Sequence, residues 1–215
     1  MAHLNLWKQE LGEVPESVWD RTDLETLVLA DNGLESLSDR IGALTRLRML
    51  DLGHNKLTSL PATLGDLAGL TDFLYLHDNL LTELPPSLGN LRRLRYLNIS
   101  ENELTELPIA VCELAGLIEL RACDNRIASL PAAIGNLTHL RELHLRNNIL
   151  STLPDAIGGL RELRQLDLRG NPIVALPKSL LDLPRFEKLD LRWVTTIEDG
   201  DVIDELARRG CVVYR

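Results

Sequence analysis

The sequence predicts an α/β solenoid, a right-handed horseshoe of stacked coils, and two observations predict it. An asparagine recurs at spacings of 23, 24, 23, 23, 23 and 23 residues, at Asn32, Asn55, Asn79, Asn102, Asn125, Asn148 and Asn171. A grid of leucines accompanies each asparagine, as Leu47, Leu50, Leu52, Leu57 and Leu60 do for Asn55. A period in this range indicates a stacked repeat, because one unit cannot bury its apolar face alone.

Each unit contains a strand, a turn and a short helical segment. Leucines alternate with other residues around Leu50 and Leu52, which predicts a strand that contributes to a parallel concave sheet. Residues 61–67 have helix-like spacing, which predicts a short α or 3₁₀ segment on the convex side. Pro61 is expected in its first turn, where a missing N–H costs nothing.

The recurring asparagine has a structural explanation. The chain turns inward after each strand, so backbone groups there are buried without partners in the sheet. A carboxamide offers two donors and an acceptor, so it can satisfy groups in its own coil and in the next. We therefore expect the seven asparagines to form a structural ladder and not a ligand site.

The whole pattern resembles a known family. Its first half reads Leu-x-x-Leu-x-Leu-x-x-Asn-x-Leu and its second half reads Leu-Pro-x-x-Leu/Ile-Gly-x-Leu. This grid resembles the leucine-rich repeat family, and the second half is similar to its intracellular Ras-group type, which bacteria also carry. The resemblance extends over about residues 4 to 192. It implies a scaffold that binds proteins, as in signalling adaptors or the recognition parts of bacterial effectors.

Three units depart from the pattern. The unit that begins at Leu70 has one extra residue, which predicts a β-bulge near Phe73 that redirects side chains. Ser38 replaces the usual proline in another unit, and the first unit is partial because Gln9 replaces the asparagine.

The two ends of the stack differ. Residues 1–193 are expected to form about eight to nine coils, the first of them partial, and residues 194–215 a C-terminal cap in the same domain. Within the cap, the run from Asp199 to Gly210 predicts a short helix and Cys211 to Tyr214 a strand. The N-terminal end shows no comparable cap, so its first strand could pair with a second copy. A monomer is the simpler expectation.

Composition limits the classes of function. The 215 residues carry a net charge of −9, which disfavours nucleic acid as a partner. No apolar run is long enough for a membrane span, and the first residues lack a signal peptide. Three scattered cysteines indicate a reducing compartment, so we expect a cytoplasmic protein, or one secreted without a signal peptide if it is an effector.

Side chains that flank the inward leucines point out from the concave sheet and form columns across the coils. Aligned coils bring an aromatic group onto three consecutive strands, comprising Met49, Phe73, Tyr75, Tyr96 and His77. Rigid amphipathic rings make good interface anchors, so this group is the predicted centre of protein binding. The alternatives are that the rings only cover their own sheet, or that Phe73 folds inward at the bulge.

A second group on the same face is charged and polar. It contains Asn98, Arg121, His144, Arg146, Asp167 and Arg169, next to Glu119, Glu142, Asp190 and Arg192. We expect these side chains to orient a partner through its charges. The alternative is a cross-strand network in which the charges neutralise one another.

Catalysis and metal binding are the alternatives to protein binding. Cys123, His144 and Asp167 lie on adjacent strands, and a hydrogen bond from His144 to Asp167 would complete a nucleophile, base and orienting group. No phosphate loop or oxyanion site accompanies them, so no enzyme activity and no cofactor are expected.

A metal ion could bridge coils at a column that follows the strands. This column contains His54, Asp78, Glu101 and Asp124, with His77 beside it. The predicted mechanism is presentation of a rigid, preformed surface to a protein partner.

Overall fold

The computed structural model describes residues 2–197 and 200–215 and contains one unclosed, curved sheet. Each strand pairs in parallel with its neighbour in chain order, which confirms the predicted solenoid. The strands are β1 (Ala2–Asn5), β2 (Leu24–Val28), β3 (Met49–Asp51), β4 (Phe73–Tyr75), β5 (Tyr96–Asn98), β6 (Glu119–Arg121), β7 (Glu142–His144), β8 (Gln165–Asp167), β9 (Lys188–Asp190) and β10 (Val212–Tyr214).

Short helical segments lie on the other side of the coils. Among those in the described residues, three are α-helical: α1 (Glu16–Trp19), α2 (Ile109–Cys112) and α3 (Asp201–Arg208). Six are 3₁₀ turns: Asp39–Ala43, Ala62–Asp66, Pro86–Asn90, Ala132–Asn136, Asp155–Gly159 and Lys178–Asp182. No helix among the described residues has the length and apolar character needed to cross a membrane.

The recurring proline does not stand where the sequence predicted it. Pro61 is the extended N-cap residue of its 3₁₀ turn, one position before the first turn. Its ring fixes φ near −67°, which suits an extended cap as well as it suits a helix start. Ser38 replaces this proline in one coil, and its hydroxyl compensates by accepting a hydrogen bond from the Arg40 backbone N–H at 3.2 Å.

Leucines fill one continuous core, and the asparagine ladder runs beside them. Asn55 is representative: its amide donates to the carbonyls of Leu29, Leu52 and Gly53, and its oxygen accepts from the N–H groups of Asn32 and Leu34. All seven asparagines are at most 8% exposed. The predicted ladder is therefore present, but each asparagine bridges its own coil to the preceding coil and not to the next one.

The turn after each strand uses a left-handed backbone conformation. A positive φ recurs at the equivalent position of successive coils, at Lys8, Asp31, His54, Asp78, Glu101, Asp124, Asn147, Gly170 and Trp193. Asp and Asn tolerate this conformation better than most side chains do. Much of the recurrence of acidic residues at this position therefore has a backbone explanation.

The extra residue of the fourth coil lies before the strand and not within it. The carbonyls of Thr71 and Asp72 each accept one backbone N–H from the next coil, at 3.1 Å. At the equivalent place in the following coil, the Arg95 carbonyl alone accepts two backbone N–H groups. The pairing of β3 with β4 then proceeds without a register shift. The predicted bulge that redirects side chains is wrong, and Phe73 does not fold inward, because 42% of it is exposed.

The ends of the sheet are β1 and β10. Helix α3 and β10 follow the last coil, and β10 pairs with β9. The helix begins at Asp201, and Asp199, where the sequence predicted its start, lies outside the described residues. The division into a solenoid (1–193) and a cap (194–215) stays a prediction. At the opposite edge, Trp7 follows β1 and is 56% exposed.

Candidate protein-binding surface

Strand register determines which side chains meet on the concave face. In the pleat before the central leucine, Met49, Phe73, Tyr96, Glu119 and Glu142 are consecutive partners. In the pleat after it, the partners run Asp51, Tyr75, Asn98, Arg121, His144, Asp167 and Asp190. For these two columns, the strand pairing confirms the alignment of the coils that the sequence predicted.

Three aromatic rings on β4 and β5, here called the aromatic patch, contact one another. Phe73 stacks on Tyr75 with ring centroids 5.9 Å apart and planes 11° apart. Tyr96 lies 5.5 Å from Phe73 and 5.1 Å from Tyr75, and tilts against both rings. These separations fall in the range in which aromatic pairs attract. Met49, another residue of the predicted group, is the strand partner of Phe73.

Histidines extend the row of rings along the face. His77 meets Tyr75 edge-on at 6.1 Å and His54 at 4.7 Å. The Nδ1 atom of His77 is buried and has no hydrogen-bond partner among the described residues. Burial, aided by the nearby His54, lowers the pKa of His77, so its neutral form is favoured.

The tyrosines are partly desolvated although they face outward. Burial raises the pKa of Tyr96 to about 12 and also raises the pKa of Tyr75. The guanidinium of Arg121 lies 6.0 Å from the Tyr96 ring. Within the described chain, neither tyrosine hydroxyl makes a hydrogen bond, so both remain available to another molecule.

A groove of about 430 Å³ opens beside the aromatic patch, where the strands begin. Phe73, Tyr96 and Ile118 form its apolar walls, and Arg48, Asp72, Arg95 and Glu119 its charged rim. Arg48 pairs with Asp72 at 3.1 Å, whereas Arg95 forms no ion pair with any described residue. Sequence reasoning did not find this groove, because it depends on the curvature that brings neighbouring coils together.

The polar side chains in the charged half of the face pair mostly within their own coil. Side chains two residues apart pair in Arg121–Glu119, His144–Glu142, Arg169–Asp167 and Arg192–Asp190. Arg169 holds Asp167 with two nitrogens, at 2.9 and 2.6 Å. Arg146 instead reaches the preceding coil and pairs with Asp124 at 2.8 Å. The alternative of a charge-pairing network is thus partly present, but most of the pairs join residues of one coil and do not cross from strand to strand.

Asn98 and Asp167, both predicted to bind a partner, also have structural roles. The side-chain oxygen of Asn98 accepts the N–H of Ser100 at 3.1 Å, and that of Asp167 accepts the N–H of Arg169 at 3.1 Å. Asn5, Asp51 and Asp190 make the same bond to the residue two positions on. This column therefore favours Asn and Asp because they satisfy the backbone where each strand ends.

The side chains of Cys123, His144 and Asp167 do not have the contacts that the catalytic alternative requires. The Nε2 atom of His144 lies 3.2 Å from Glu142, while Asp167 is engaged by Arg169. The hydrogen bond from His144 to Asp167 that the catalytic alternative requires is therefore not formed among the described residues. Burial raises the pKa of Cys123, which disfavours the thiolate that a nucleophile requires.

The possible metal ligands come together at a different place from the one that the sequence suggested. In the predicted column, His54 pairs with Asp78 at 2.6 Å, and Asp124 is held by Arg146 and Asn147. Across residues 2–197 and 200–215, three ligand atoms of His, Cys, Asp or Glu converge within 4.8 Å only at Glu119, Glu142 and His144. The sequence contained a sign of this group, because the two glutamates occupy one column and His144 follows two residues later.

A further group of rings lies at the C-terminal end and was also missed. The Arg192 guanidinium lies 5.5 Å from the Tyr214 ring and 6.0 Å from the Trp193 ring. Trp193 is 67% exposed and Tyr214 45% exposed. The pairing of β10 with β9 creates this contact, and the repeat pattern does not cover β10.

Comparison with known proteins agrees with this geometry. Residues 22–73 match the family described as "Leucine rich repeat", and residues 72–147 and 131–207 match "Leucine-rich repeat region". Among solved structures, an LRR protein of Leptospira interrogans is 26% identical, with a TM-score of 0.79 over 98% of this chain and 64% of its own.

Two plant receptors are also similar. The ectodomain of GASSHO1/SCHENGEN3 from Arabidopsis thaliana, solved with CASPARIAN STRIP INTEGRITY FACTOR 2, is 30% identical, with a TM-score of 0.76. The plant peptide hormone receptor RGFR1, solved with RGF2, is 34% identical, with a TM-score of 0.74. They match 89% and 84% of this chain, which spans only 24% and 30% of theirs.

Repeats of this kind typically form interaction modules and not catalytic domains. The repeat matches together extend from residue 22 to residue 207, more than half of the sequence. The asparagine ladder, the leucine core and the parallel sheet agree with these matches, and the chain belongs to the leucine-rich repeat family.

Proposed function

We propose that the concave face binds a protein or peptide and that the aromatic patch anchors it. The main observation behind this proposal is the packing and exposure of three aromatic rings on β4 and β5. Phe73, Tyr75 and Tyr96 contact one another, stand partly exposed on a rigid sheet and border a groove of about 430 Å³. Aromatic side chains held in this way lose little conformational freedom on binding.

Charged residues of the face have a secondary role in this proposal. Arg121, His144, Arg146 and Arg169 already have carboxylate partners, so a ligand has to compete for them. Their effect is therefore on orientation and encounter rate more than on affinity. Arg95 differs because it has no such partner among the described residues, and it offers its charge to an acidic group beside the groove.

The similar plant receptors support a protein or peptide ligand, since both were solved in complex with one. We further propose a non-catalytic, monomeric protein of the cytoplasm, with the role of a signalling adaptor or of the recognition part of a bacterial effector. All three cysteines are free, and Cys112 and Cys211 are buried, which supports a reducing compartment.

A displayed random-peptide library selected against the immobilised chain tests the anchor directly. Affinities of the enriched peptides are then measured for the wild type and for Tyr75→Ala/Tyr96→Ala. We expect the double variant to bind at least about 30-fold more weakly, because central aromatic anchors contribute about 2 kcal/mol or more.

The matched control is Ile109→Ala/Ile149→Ala, which removes two exposed apolar side chains outside the concave columns. It should bind the peptides as the wild type does, with thermal melting used to confirm that both variants fold. Equal binding by the tyrosine variant would overturn the proposal. Light scattering of the free chain tests the alternative of self-assembly through β1, which predicts a mass that rises with concentration.

A further inference from the structure

Two glutamates face each other on the concave sheet beside a histidine. Glu119 and Glu142 are direct partners in the pairing of β6 with β7. The Nε2 atom of His144 lies 3.2 Å from an oxygen of Glu142 and 3.9 Å from an oxygen of Glu119. One ligand atom from each residue falls within 4.8 Å of the other two, and all three residues are half-buried.

Strand geometry holds the three ligands in place. Glu142 and His144 are two residues apart on β7, so their side chains leave the same face of the sheet. Glu119 stands on the adjacent strand, where parallel neighbours lie about 4.8 Å apart. Three donors therefore project from two rigid strands to the same side, and side-chain rotations alone can bring them together.

The local charge balance favours a cation at this point. Like charges placed directly opposite each other on neighbouring strands are destabilising. Arg121 offsets one of these carboxylates, because its Nε donates to Glu119 at 2.6 Å. Among the described residues, the Glu142 carboxylate forms a hydrogen bond or ion pair only with the imidazole of His144. A bound divalent ion would neutralise both carboxylates at once.

We propose that Glu119, Glu142 and His144 bind a divalent first-row transition-metal ion of the zinc class. One imidazole nitrogen and two carboxylate oxygens suit such ions better than they suit Ca²⁺ or Mg²⁺, which prefer oxygen ligands alone. Three protein ligands leave a coordination position open to water or to a donor from a bound molecule. The inference does not rest on the proposed function, because it concerns the chain alone.

Isothermal titration of the full chain with Zn²⁺, after treatment with a chelator, tests the site. We expect one ion per chain, with binding weakened in both His144→Ala and the conservative Glu142→Gln. Loss of an outer-shell partner typically lowers metal affinity by about 10–100-fold. We expect each of these two variants to lose more Zn²⁺ affinity than that, because each removes a direct ligand. Circular dichroism and thermal melting establish that the variants fold.

Control variants locate the ion. His139→Ala alters an exposed histidine whose ring contacts the Ala115 carbonyl, and it should leave the affinity unchanged. His54→Ala tests the pair formed by His54 and Asp78. Loss of the ion in His54→Ala with retention in His144→Ala would overturn the proposal, as would the absence of Zn²⁺ binding by the wild type.

Two further measurements examine the ligand set. Arg121→Gln removes the competitor for Glu119 and should tighten Zn²⁺ binding, and equal or weaker binding would overturn the three-ligand arrangement. Co²⁺ bound in place of Zn²⁺ should show no thiolate charge-transfer band, because Cys123 lies in the next column and is not a ligand. That band, if present, would overturn the assignment.

Discussion

The two halves of the concave face use the same columns but satisfy their side chains differently. The outward positions of β4 and β5 carry three rings, and the tyrosine hydroxyls have no partner within the described chain. On β8 and β9 they carry Asp167 and Asp190, which are 8% and 3% exposed and are held by arginines. The aromatic half leaves polar groups available, whereas the charged half uses them internally.

This difference indicates that one half of the face contributes mainly to the stability of the fold and the other mainly to the affinity for a ligand. A carboxylate that already accepts charge-assisted hydrogen bonds contributes to folding, and a ligand must displace its partner to use it. An exposed ring contributes less to folding and exposes apolar area that a ligand can cover. We therefore expect substitutions in the charged half to act mainly on unfolding, and substitutions in the aromatic patch to act mainly on binding.

The largest expected effect on stability is that of Asp190→Ala. Asp190 accepts hydrogen bonds from Arg192 Nε at 3.0 Å, Nη2 at 2.8 Å and the backbone N–H at 3.3 Å. Its loss should lower the free energy of unfolding by about 2–3 kcal/mol, because these bonds are charge-assisted and the carboxylate is buried. Urea denaturation of the wild type and of Asp190→Ala measures this change in the free energy of unfolding.

Two matched variants bracket this prediction. Asp182→Ala removes an exposed carboxylate before the same strand and should change stability by less than about 0.5 kcal/mol. Tyr75→Ala should cost less than Asp190→Ala. A larger loss for Tyr75→Ala would contradict the division between the two halves.

A smaller effect is expected from Gly53→Ala, which tests how tightly the row of rings is packed. A Cβ atom at position 53 would lie 2.4 Å from Cε1 of His77, so the ring has to move. We expect a cost of about 1–2 kcal/mol, typical of overpacking. Because the clash is with one ring, the added cost should largely disappear in Gly53→Ala/His77→Ala relative to His77→Ala. An unchanged cost would show that the ring is not the obstacle.

The smallest expected effect is a difference in acid sensitivity. Burial alone would raise the pKa of Asp190, but hydrogen bonds from the side chain and backbone of Arg192 outweigh it, so the pKa lies below its ordinary value of 3.8. A depressed folded-state pKa stabilises the protein above the unfolded value, and this stability is lost as pH falls through the folded value.

The Asp190→Asn variant isolates this contribution. Its stability should fall less than that of the wild type when pH is lowered from about 7 to about 3. Asp23 and Glu205 also have lowered pKa values, because arginines donate hydrogen bonds to them, but they are present in both proteins and cancel in the comparison. Urea denaturation at each pH provides the measurement, and parallel curves would contradict the assignment to Asp190.

Much of the fold was predictable because the repeat supplies its own internal test. Each leucine position recurs in several coils, so an interpretation that fits Leu50 must also fit Leu97 and Leu143. The columns could be read for the same reason, since a parallel stack places equivalent residues side by side. The extra residue before Phe73 was misread because the number of residues alone does not show whether the strand or its entrance accommodates it.

Side-chain partners were less predictable than positions. His144 shares a column with Asp167 but contacts Glu142 on its own strand. A column specifies where side chains begin, whereas the choice between a neighbour along the strand and one across it depends on rotamers and competing charges. The same reason explains why Arg169 holds Asp167 more closely than it does Asp190.

The sequence by itself determined the solenoid, its leucine core, its asparagine ladder and the columns of the concave face. Each of these follows from a period that repeats whatever the other residues are. Only the tertiary structure decided which charges pair, where the groove beside the aromatic patch opens and which ligand atoms converge on His144. Those properties depend on distances of a few ångströms between non-repeating side chains of neighbouring coils, which a one-dimensional period does not encode.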